Sequence, residues 1–411
     1  MRLIPSYSRS RALTHWRLTL LAVGGALAGF CLGLIFMGTV HTMLEIRATR
    51  HYLESENNAT SVESLQEQAV IKDPQAEQDT IHTICTSNGS PYVNFQTRIM
   101  YGTYLKVQSM PGGEKLVAFT RILHRTKPDV LYDEIPTFRA EPLTPACDNW
   151  CEFPVSDRPD AVEQWLKAAE SDPSMIRAPW ILMIETDYVW HKPLQAPRAD
   201  SGALSIAFPF GYIVPNAPPL RGVMRLMYPE EKGPLSDIPN TGPAPMLLRT
   251  GELRLLVPDW KRLAAHIEAH AETKQKLGWV REMYAWSVAA ALNNVKFDLH
   301  LPPKQKLIVQ PPADREIGDA AMFHYTWGTV INDVQGGDKV KLWEFDKRTY
   351  TDAVHALKVP LIPEPPPWRS TFRLQDGLAV DEKLMAVVRA MIDDMNSVIP
   401  QLKDLRSKGS S

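Results

Sequence analysis

Residues 181–189 read Ile-Leu-Met-Ile-Glu-Thr-Asp-Tyr-Val, so two carboxylates follow directly on four apolar side chains. An apolar run of this kind predicts a buried strand. Because side chains i and i+2 of a strand point to the same side, we expect Glu185 and Asp187 to converge at its carboxyl end. Carboxylate oxygens at that edge of an α/β sheet suit a divalent cation, which a diphosphate leaving group requires. The alternative is a strand that simply ends in an acidic turn.

The arrangement Glu185-Thr186-Asp187 matches the D-x-D element of glycosyltransferases of the GT-A type, with Glu in the first place. The surrounding sequence alternates between strand and helix patterns, which predicts an α/β domain with a mostly parallel sheet. Besides the strand before Glu185, the predicted strands are 80–84, 115–123, 205–208, 246–248, 307–309 and 322–325. The predicted helices are 94–108, 160–170, 260–276, 279–293 and 380–395.

The N-terminus predicts a membrane anchor. Arginines at positions 2, 9, 11 and 17 precede an uncharged run, 18–40, that is long enough to cross a bilayer as a helix. This run exceeds a signal-peptide core and no A-x-A cleavage site follows, although a cleaved signal peptide is the alternative. The basic cluster before the span predicts a cytosolic N-terminus and a lumenal remainder, as in a single-pass type II protein of the Golgi membrane.

The remaining chain divides by composition. The predicted parts are a cytosolic tail (1–17), the transmembrane anchor (18–40), a polar lumenal stem (41–79), a catalytic domain (80–358) and a proline-rich segment with a C-terminal helix (359–411). Net charge is only -2 with acids and bases interspersed, which argues against a nucleic-acid partner.

A lumenal location agrees with the sequons at Asn58 and Asn88. Cys85, Cys147 and Cys151 lie beyond the anchor and allow one disulfide in an oxidising compartment. The sequence leaves the pairing open.

Several ordered blocks of the chain resemble the plant hydroxyproline O-arabinosyltransferases, over essentially all of 81–350. The main ones are Arg98-Ile99-Met100-Tyr101, Phe119-Thr120-Arg121-Ile122-Leu123-His124, Asp133-Glu134-Ile135-Pro136, Glu185 with Asp187, Tyr228-Pro229-Glu230-Glu231, Gly278-Trp279-Val280 with Glu282-Met283-Tyr284-Ala285, Gln310-Pro311-Pro312, His324-Tyr325-Thr326 and Phe345-Asp346-Lys347-Arg348.

This resemblance implies a GT-A-like nucleotide-sugar transferase domain. It also implies transfer of L-arabinofuranose from its UDP-activated form to hydroxyproline of secreted, hydroxyproline-rich proteins or peptides, with retention of the donor's β configuration. An acceptor of that composition is expected to lie as an extended polyproline II strand. Trp190, Tyr212 and Trp327 are candidate contacts for it, with core packing as the alternative.

The candidate metal ligands are Asp187 and His324, with manganese as the expected ion and magnesium as the alternative. Without the resemblance, a lone His in an apolar strand is more often a core residue. Glu185 is expected to contact the metal through water or to contact the donor sugar.

Glu282 is the second candidate catalytic residue, placed to orient the acceptor or the developing oxocarbenium-like sugar. It stands in the first turn of a nearly apolar helix, where an acid is also explained by the helix dipole. Lys347 and Arg348 are candidate diphosphate ligands, or else a solvated charge run. Arg121 is expected either to meet the nucleotide or to form a structural ion pair.

The chain departs from the family pattern beside the predicted site, at Asp160, Thr186, Tyr188 and Thr329-Val330. The departures bear on the sugar and the acceptor more than on the fold. Peptidyl serine O-galactosyltransferase is therefore the alternative activity, and a GT-A-like binding protein without catalysis is a second.

One further histidine pair points to no site. His266 and His270 stand four apart on a predicted helix, but the zinc-protease motif needs Glu directly after the first His, where this chain has Ile267.

Overall fold

A computed structural model of the chain describes residues 78–335 and 338–408. The predicted anchor, the sequon Asn58 and nearly all of the predicted stem lie outside these residues. None of the helices within the described ranges is long and apolar enough to span a membrane.

The strands are β1 (Ile81–Ser87), β2 (Leu116–His124), β3 (Thr137–Ala140), β4 (Trp180–Ile184), β5 (Tyr188–Trp190), β6 (Ser205–Ala207), β7 (Met246–Arg249), β8 (Phe297–Leu299), β9 (Ile308–Val309), β10 (Met322–His324), β11 (Gly328–Gln335), β12 (Asp338–Asp346) and β13 (Phe372–Arg373). The α-helices are α1 (Pro91–Gln108), α2 (Arg158–Ser171), α3 (Arg221–Met227), α4 (Thr250–Ala269), α5 (Ala271–Leu277), α6 (Arg281–Leu292), α7 (Ala353–Leu357) and α8 (Glu382–Val398).

A seven-stranded sheet of order β3-β2-β1-β4-β7-β6-β8 organises the domain. Neighbours among β3, β2, β1 and β4 pair in parallel, as do β6 and β8, whereas β7 runs antiparallel to both β4 and β6. This arrangement confirms the predicted α/β fold with a mostly parallel sheet. Because β1, β2 and β4 are parallel, their carboxyl ends meet at one edge, where β4 leads into Glu185.

Two helices begin earlier than predicted, and proline is the reason in both. Helix α1 begins at Pro91; a proline is tolerated at this first position because a backbone N–H there would have no partner within the helix. Ser90 caps the helix, and its hydroxyl accepts a hydrogen bond from the Val93 N–H. Helix α4 begins at Thr250 and continues through Pro258. A proline inside a helix costs one hydrogen bond, but the buried apolar face of α4 continues on both sides of it.

Two smaller sheets stand beside the large one. In the sheet β5-β10-β9, His324 of β10 pairs with Tyr188 of β5. In the sheet β12-β11-β13, the antiparallel pair β11 and β12 was not predicted. Strand β12 does alternate polar and apolar residues, but the alternation changes phase at Leu342-Trp343, where the pairing with β11 shifts register, so each regular stretch is short.

The C-terminal segment packs against helix α1. Helix α8 contributes Leu384, Val388 and Met391 to a core that also contains Phe95 and Ile99 of α1. The fully buried guanidinium of Arg98 donates to the carbonyls of Ala356, Leu357 and Lys403, and it pairs with Glu134 at 2.7 Å. Arg98, a buried side chain near the start of the domain, thus binds the C-terminal segment to the domain.

Candidate active site

The turn between β4 and β5 carries the two acids of the opening motif. Strand β4 ends at Ile184, so Glu185 and Asp187 lie in the turn and not in the strand. The prediction that both aim at one point by strand alternation is therefore wrong. The two carboxylates bind different cations: Glu185 accepts from Arg158, and Asp187 accepts from Lys347.

Asp187 is the centre of the first cluster. Its Oδ2 lies 2.6 Å from the Lys347 ammonium and 3.2 Å from Nε2 of His324. Burial alone would raise the pKa of Asp187, but the charge of Lys347 and the contact with His324 outweigh it and hold that pKa well below its usual range. Asp187 is thus a buried, fully ionised carboxylate.

His324 presents the geometry of a metal ligand. Its Nδ1 lies 2.8 Å from the Gln310 side-chain oxygen, which can only accept, so Nδ1 donates. Nε2 lies 3.2 Å from Oδ2 of Asp187. With a proton, Nε2 donates to that carboxylate; without one, its lone pair and Oδ2 face a common point where a cation can bind. Two ligands at right angles on an ion with bonds of about 2.1 Å lie about 3 Å apart, close to the distance observed.

The donor set therefore fits a divalent cation. Within 78–335 and 338–408, no group of three or more His, Cys, Asp or Glu side chains is arranged to hold a metal ion. Asp187 and His324 would consequently supply two ligands, and phosphate oxygens or water would supply the rest. Such a site suits an ion that arrives with a diphosphate.

Lys347 is enclosed by aromatic rings. Its ammonium lies 5.9 Å, 5.8 Å and 5.4 Å from the ring centroids of Tyr92, Tyr325 and Trp327. Burial acts to lower the pKa of Lys347, but the charge of Asp187 and the phenol of Tyr92 act to raise it and have the larger effect. The net shift of the pKa is therefore upward. The ammonium is held charged beside the predicted metal ligands.

Arg348 occupies a different place from its neighbour. It is exposed, pairs with Asp346, and its guanidinium carbon lies 5.0 Å from the centroid of Trp327. Lys347 thus lies inside the site and Arg348 at its rim.

The second cluster joins Glu185 to Glu282 through Arg158. Arg158 is the first residue of α2; it hydrogen-bonds Glu185, and its Nη1 lies 3.8 Å from Oε2 of Glu282. Burial raises the pKa of Glu282 to about 8, although Arg158 acts in the opposite direction; Glu185 adds to the rise. Oε1 of Glu282 is buried without a hydrogen-bond partner among the described residues.

Arg158 is not among the site residues predicted from the sequence. The available signal was its position, because a cation in the first turn of a helix opposes the helix dipole and needs another reason to be there.

Arg121 lies apart from both clusters. Its side chain is fully buried, and it forms a bidentate ion pair with Asp129 at 2.8 and 2.6 Å and a hydrogen bond to Thr137. This is the structural ion pair that the sequence left as the alternative to nucleotide contact.

Of the three candidate aromatic contacts, Trp190 is fully buried, so its prediction as an exposed contact is wrong. Tyr212 and Trp327 are each 54% exposed.

Elsewhere, a disulfide joins Cys147 to Cys151, in the loop that leads to α2, and Cys85 is a buried free thiol. His270 Nδ1 contacts the carbonyl of His266, 2.7 Å away, as befits a helix end.

A cavity beside strand β2 contains none of these residues. It measures about 360 Å³ and is lined by His82, Tyr101 and Phe119 among others. The chemistry of the carboxylate clusters, not cavity size, therefore identifies the site.

Comparison with known proteins identifies relatives of this chain. The model of the hydroxyproline O-arabinosyltransferase family N-terminal domain matches residues 81–299. Hydroxyproline O-arabinosyltransferase 1 of Arabidopsis thaliana is 38% identical over 273 residues, which are 66% of this chain and 70% of that protein. Hydroxyproline O-arabinosyltransferase RDN2 of Medicago truncatula is 33% identical over 359 residues, 85% of this chain and 91% of its own.

Among solved structures, a glycosyltransferase involved in glycosylation of the major capsid of PBCV-1 aligns with 60% of this chain and 94% of its own, at 14% identity and a TM-score of 0.32. A score that low does not by itself establish a common fold. The family match and the extended identity to full-length relatives do not depend on it. The chain belongs to the hydroxyproline O-arabinosyltransferase family.

Proposed function

We propose that this protein transfers L-arabinofuranose from UDP-arabinofuranose to the hydroxyl of hydroxyproline in secreted, hydroxyproline-rich proteins or peptides, and does so in a GT-A-like domain. Family membership supports the acceptor. The observation that carries the chemistry is the meeting of Asp187, His324 and Lys347 in one buried cluster at the carboxyl edge of the sheet.

Manganese, or magnesium in its place, bound by Asp187 and His324 would neutralise the charge of the leaving diphosphate. The Lys347 ammonium adds a fixed positive charge beside the same group, where its aromatic walls exclude water and strengthen its field. Arg348 at the rim meets the diphosphate from the solvent side.

In the transfer, the bond from the anomeric carbon to the diphosphate oxygen breaks and a bond to the hydroxyproline oxygen forms. The hydroxyl proton leaves with the diphosphate, and the donor's β configuration is retained. Glu185 is more exposed than Glu282, with side chains 24% and 4% exposed, so Glu185 faces the sugar. Glu282 lies deeper than Glu185; with its raised pKa it carries a proton near neutral pH and acts by hydrogen bonding, to orient the acceptor or the developing oxocarbenium-like sugar.

The acceptor lies as an extended polyproline II strand over Tyr212 and Trp327, whose exposed rings suit proline-like side chains. We further propose a single-pass type II arrangement in the Golgi membrane, with anchor 18–40 and a lumenal catalytic domain. Protease added to intact microsomes should then spare everything beyond residue 40. Digestion of the domain would contradict the arrangement.

The activity is tested by incubating the full-length protein, in detergent with Mn²⁺, with a hydroxyproline-rich peptide and a panel of UDP-sugars. We expect a pentose increment on hydroxyproline by mass spectrometry, and Asp187→Asn as the inactive control. A hexose on serine would instead identify a peptidyl serine O-galactosyltransferase. Absence of both transfer and metal-dependent donor hydrolysis would identify a binding protein.

A further inference from the structure

Arg158 joins three separate elements at the candidate site. It begins helix α2, it hydrogen-bonds Glu185 in the turn after β4, and it lies 3.8 Å from Glu282 in the first turn of α6. No shorter path of polar contacts between Glu185 and Glu282 occurs in the part of the chain that the structure describes.

The location of Arg158 is unfavourable for helix stability. A positive charge at the N-terminus of a helix opposes the dipole, and its side chain is only 14% exposed, so it also loses hydration. The two carboxylates offset these costs. A planar guanidinium holds two carboxylates in fixed directions, whereas an ammonium rotates about its stem and fixes their directions less well.

Glu185 has no other recorded hydrogen-bond partner in the described ranges, and its side chain is partly exposed. Free of Arg158, it would rotate in the turn. Glu282, by contrast, is held by the burial of α6, so it supplies the fixed end of the connection.

We propose that Arg158 is a positioning residue of the transfer reaction, which holds Glu185 in its working direction by tying it to Glu282. The inference rests on the proposed function, because its effect is exerted on the reacting sugar. It predicts an effect on turnover rather than on donor affinity, since misplacement of a reacting group by about 1 Å costs about 100-fold in rate.

The test is a mutational cycle in the full-length protein, measured by transfer to the hydroxyproline-rich peptide. Arg158→Met should lower kcat about 100-fold and change KM for the UDP-sugar less than threefold, as expected for lost orientation. Arg158→Lys should recover only part of kcat, because a rotating ammonium fixes the direction of its carboxylate partners less well than a planar guanidinium does.

Arg158→Met leaves the buried Glu282 and the partly exposed Glu185 without this partner and could fail to fold. The double variant Arg158→Met/Glu282→Gln reduces this risk, since it also removes the buried carboxyl group that faces Arg158. In Glu282→Gln alone, the amide oxygen can still accept from Arg158 and keep it directed at Glu185. If Arg158 positions Glu185, the double variant should therefore remain folded with kcat well below that of Glu282→Gln alone. Equal kcat for the two would show that Arg158 acts only on Glu282 and would overturn the proposal.

Measurements on the wild-type protein separate the positioning role of Arg158 from the proposed transferase activity. Transfer by wild type together with an unaffected Arg158→Met variant would reject the positioning role and leave the proposed function intact. A wild-type protein that neither transfers pentose nor hydrolyses the donor would reject both.

Discussion

The ammonium of Lys347 lies 2.6 Å from Oδ2 of Asp187, the same carboxylate oxygen that faces His324. The lysine therefore occupies the position of a cation at this carboxylate. A divalent ion that binds there has to displace the ammonium or share the oxygen with it, and a diphosphate offers the displaced ammonium a new partner. Metal and donor should thus bind more tightly together than singly.

Replacing Lys347 with Met should strengthen binding of Mn²⁺ alone, because Asp187 loses its competing cation. We expect the half-saturating Mn²⁺ concentration in a thermal-shift titration to fall about tenfold, equivalent to about 1.4 kcal/mol. KM for the UDP-sugar should rise, since the diphosphate loses a charged partner. Arg348→Met is the matched control and should leave Mn²⁺ binding unchanged; an unchanged titration for Lys347→Met would refute competition at Asp187.

Asp187→Asn should abolish transfer while the fold survives. Asn keeps the shape but loses the negative charge that holds the cation, and loss of a few kcal/mol there costs orders of magnitude in rate. The thermal stabilisation that wild type gains from Mn²⁺ with UDP should largely disappear. Full stabilisation of the variant by Mn²⁺ and UDP would place the metal elsewhere.

Glu282 should make stability depend on pH. Its pKa is raised by burial to about 8, above the value of about 4.3 for an exposed Glu, so the folded state binds the proton more tightly than the unfolded state. The contribution of protonated Glu282 to the free energy of unfolding is fully present below about pH 4 and is lost as the pH rises through about 8. The melting temperature of wild type should therefore fall between pH 5 and 9 relative to Glu282→Gln, whose amide does not ionise. The exposed Glu141→Gln should follow wild type, and parallel curves for all three would contradict the raised pKa.

The same Glu282→Gln variant tests catalysis. Gln keeps the size and most of the hydrogen-bonding capacity, but its amide cannot gain or lose a proton as the carboxyl group of Glu282 can. We expect kcat to fall while KM for the UDP-sugar stays near that of wild type. Unchanged turnover would make Glu282 a helix-end acid without a part in the reaction.

Tyr212→Ala should raise KM for the peptide acceptor several-fold and leave KM for the UDP-sugar unchanged, because the ring is exposed beside the acids and suits a proline-like side chain. Leu361→Ala removes an exposed apolar side chain elsewhere and serves as the control. An effect of Tyr212→Ala on the donor alone would place the ring against the nucleotide sugar.

Arg98→Met should destabilise the protein by about 3–5 kcal/mol, because it leaves Glu134 and three tail carbonyls without their buried partner. Lys106→Met removes a partly exposed pair with Asp394 and should cost about 1 kcal/mol or less. Urea denaturation compares the two, and equal losses would show that Arg98 does not secure the tail.

The sequence predicted the fold best where periodicity was strong. The buried strand β4 and the helix α8 have clear patterns and lie close to their predicted positions. Strand β12 was missed because its alternation changes phase at Leu342-Trp343, which leaves only short regular stretches. Asp187, His324 and Lys347 were selected by residue type and resemblance, but their meeting depends on strand pairing across more than 130 residues, which no local pattern reports. Arg158 was missed for the same reason, since its two partners are distant in sequence.

The bonds of Arg98 also bear on how the chain is made. Its partners Ala356 and Lys403 follow it by 258 and 305 residues, so they are synthesised long after it. During translation, Arg98 therefore lacks these carbonyl partners until almost the entire polypeptide has been synthesised. Chains that terminate early would retain, in the middle of α1, a buried arginine that lacks its carbonyl partners from the C-terminal segment, and we expect cellular quality control to remove them.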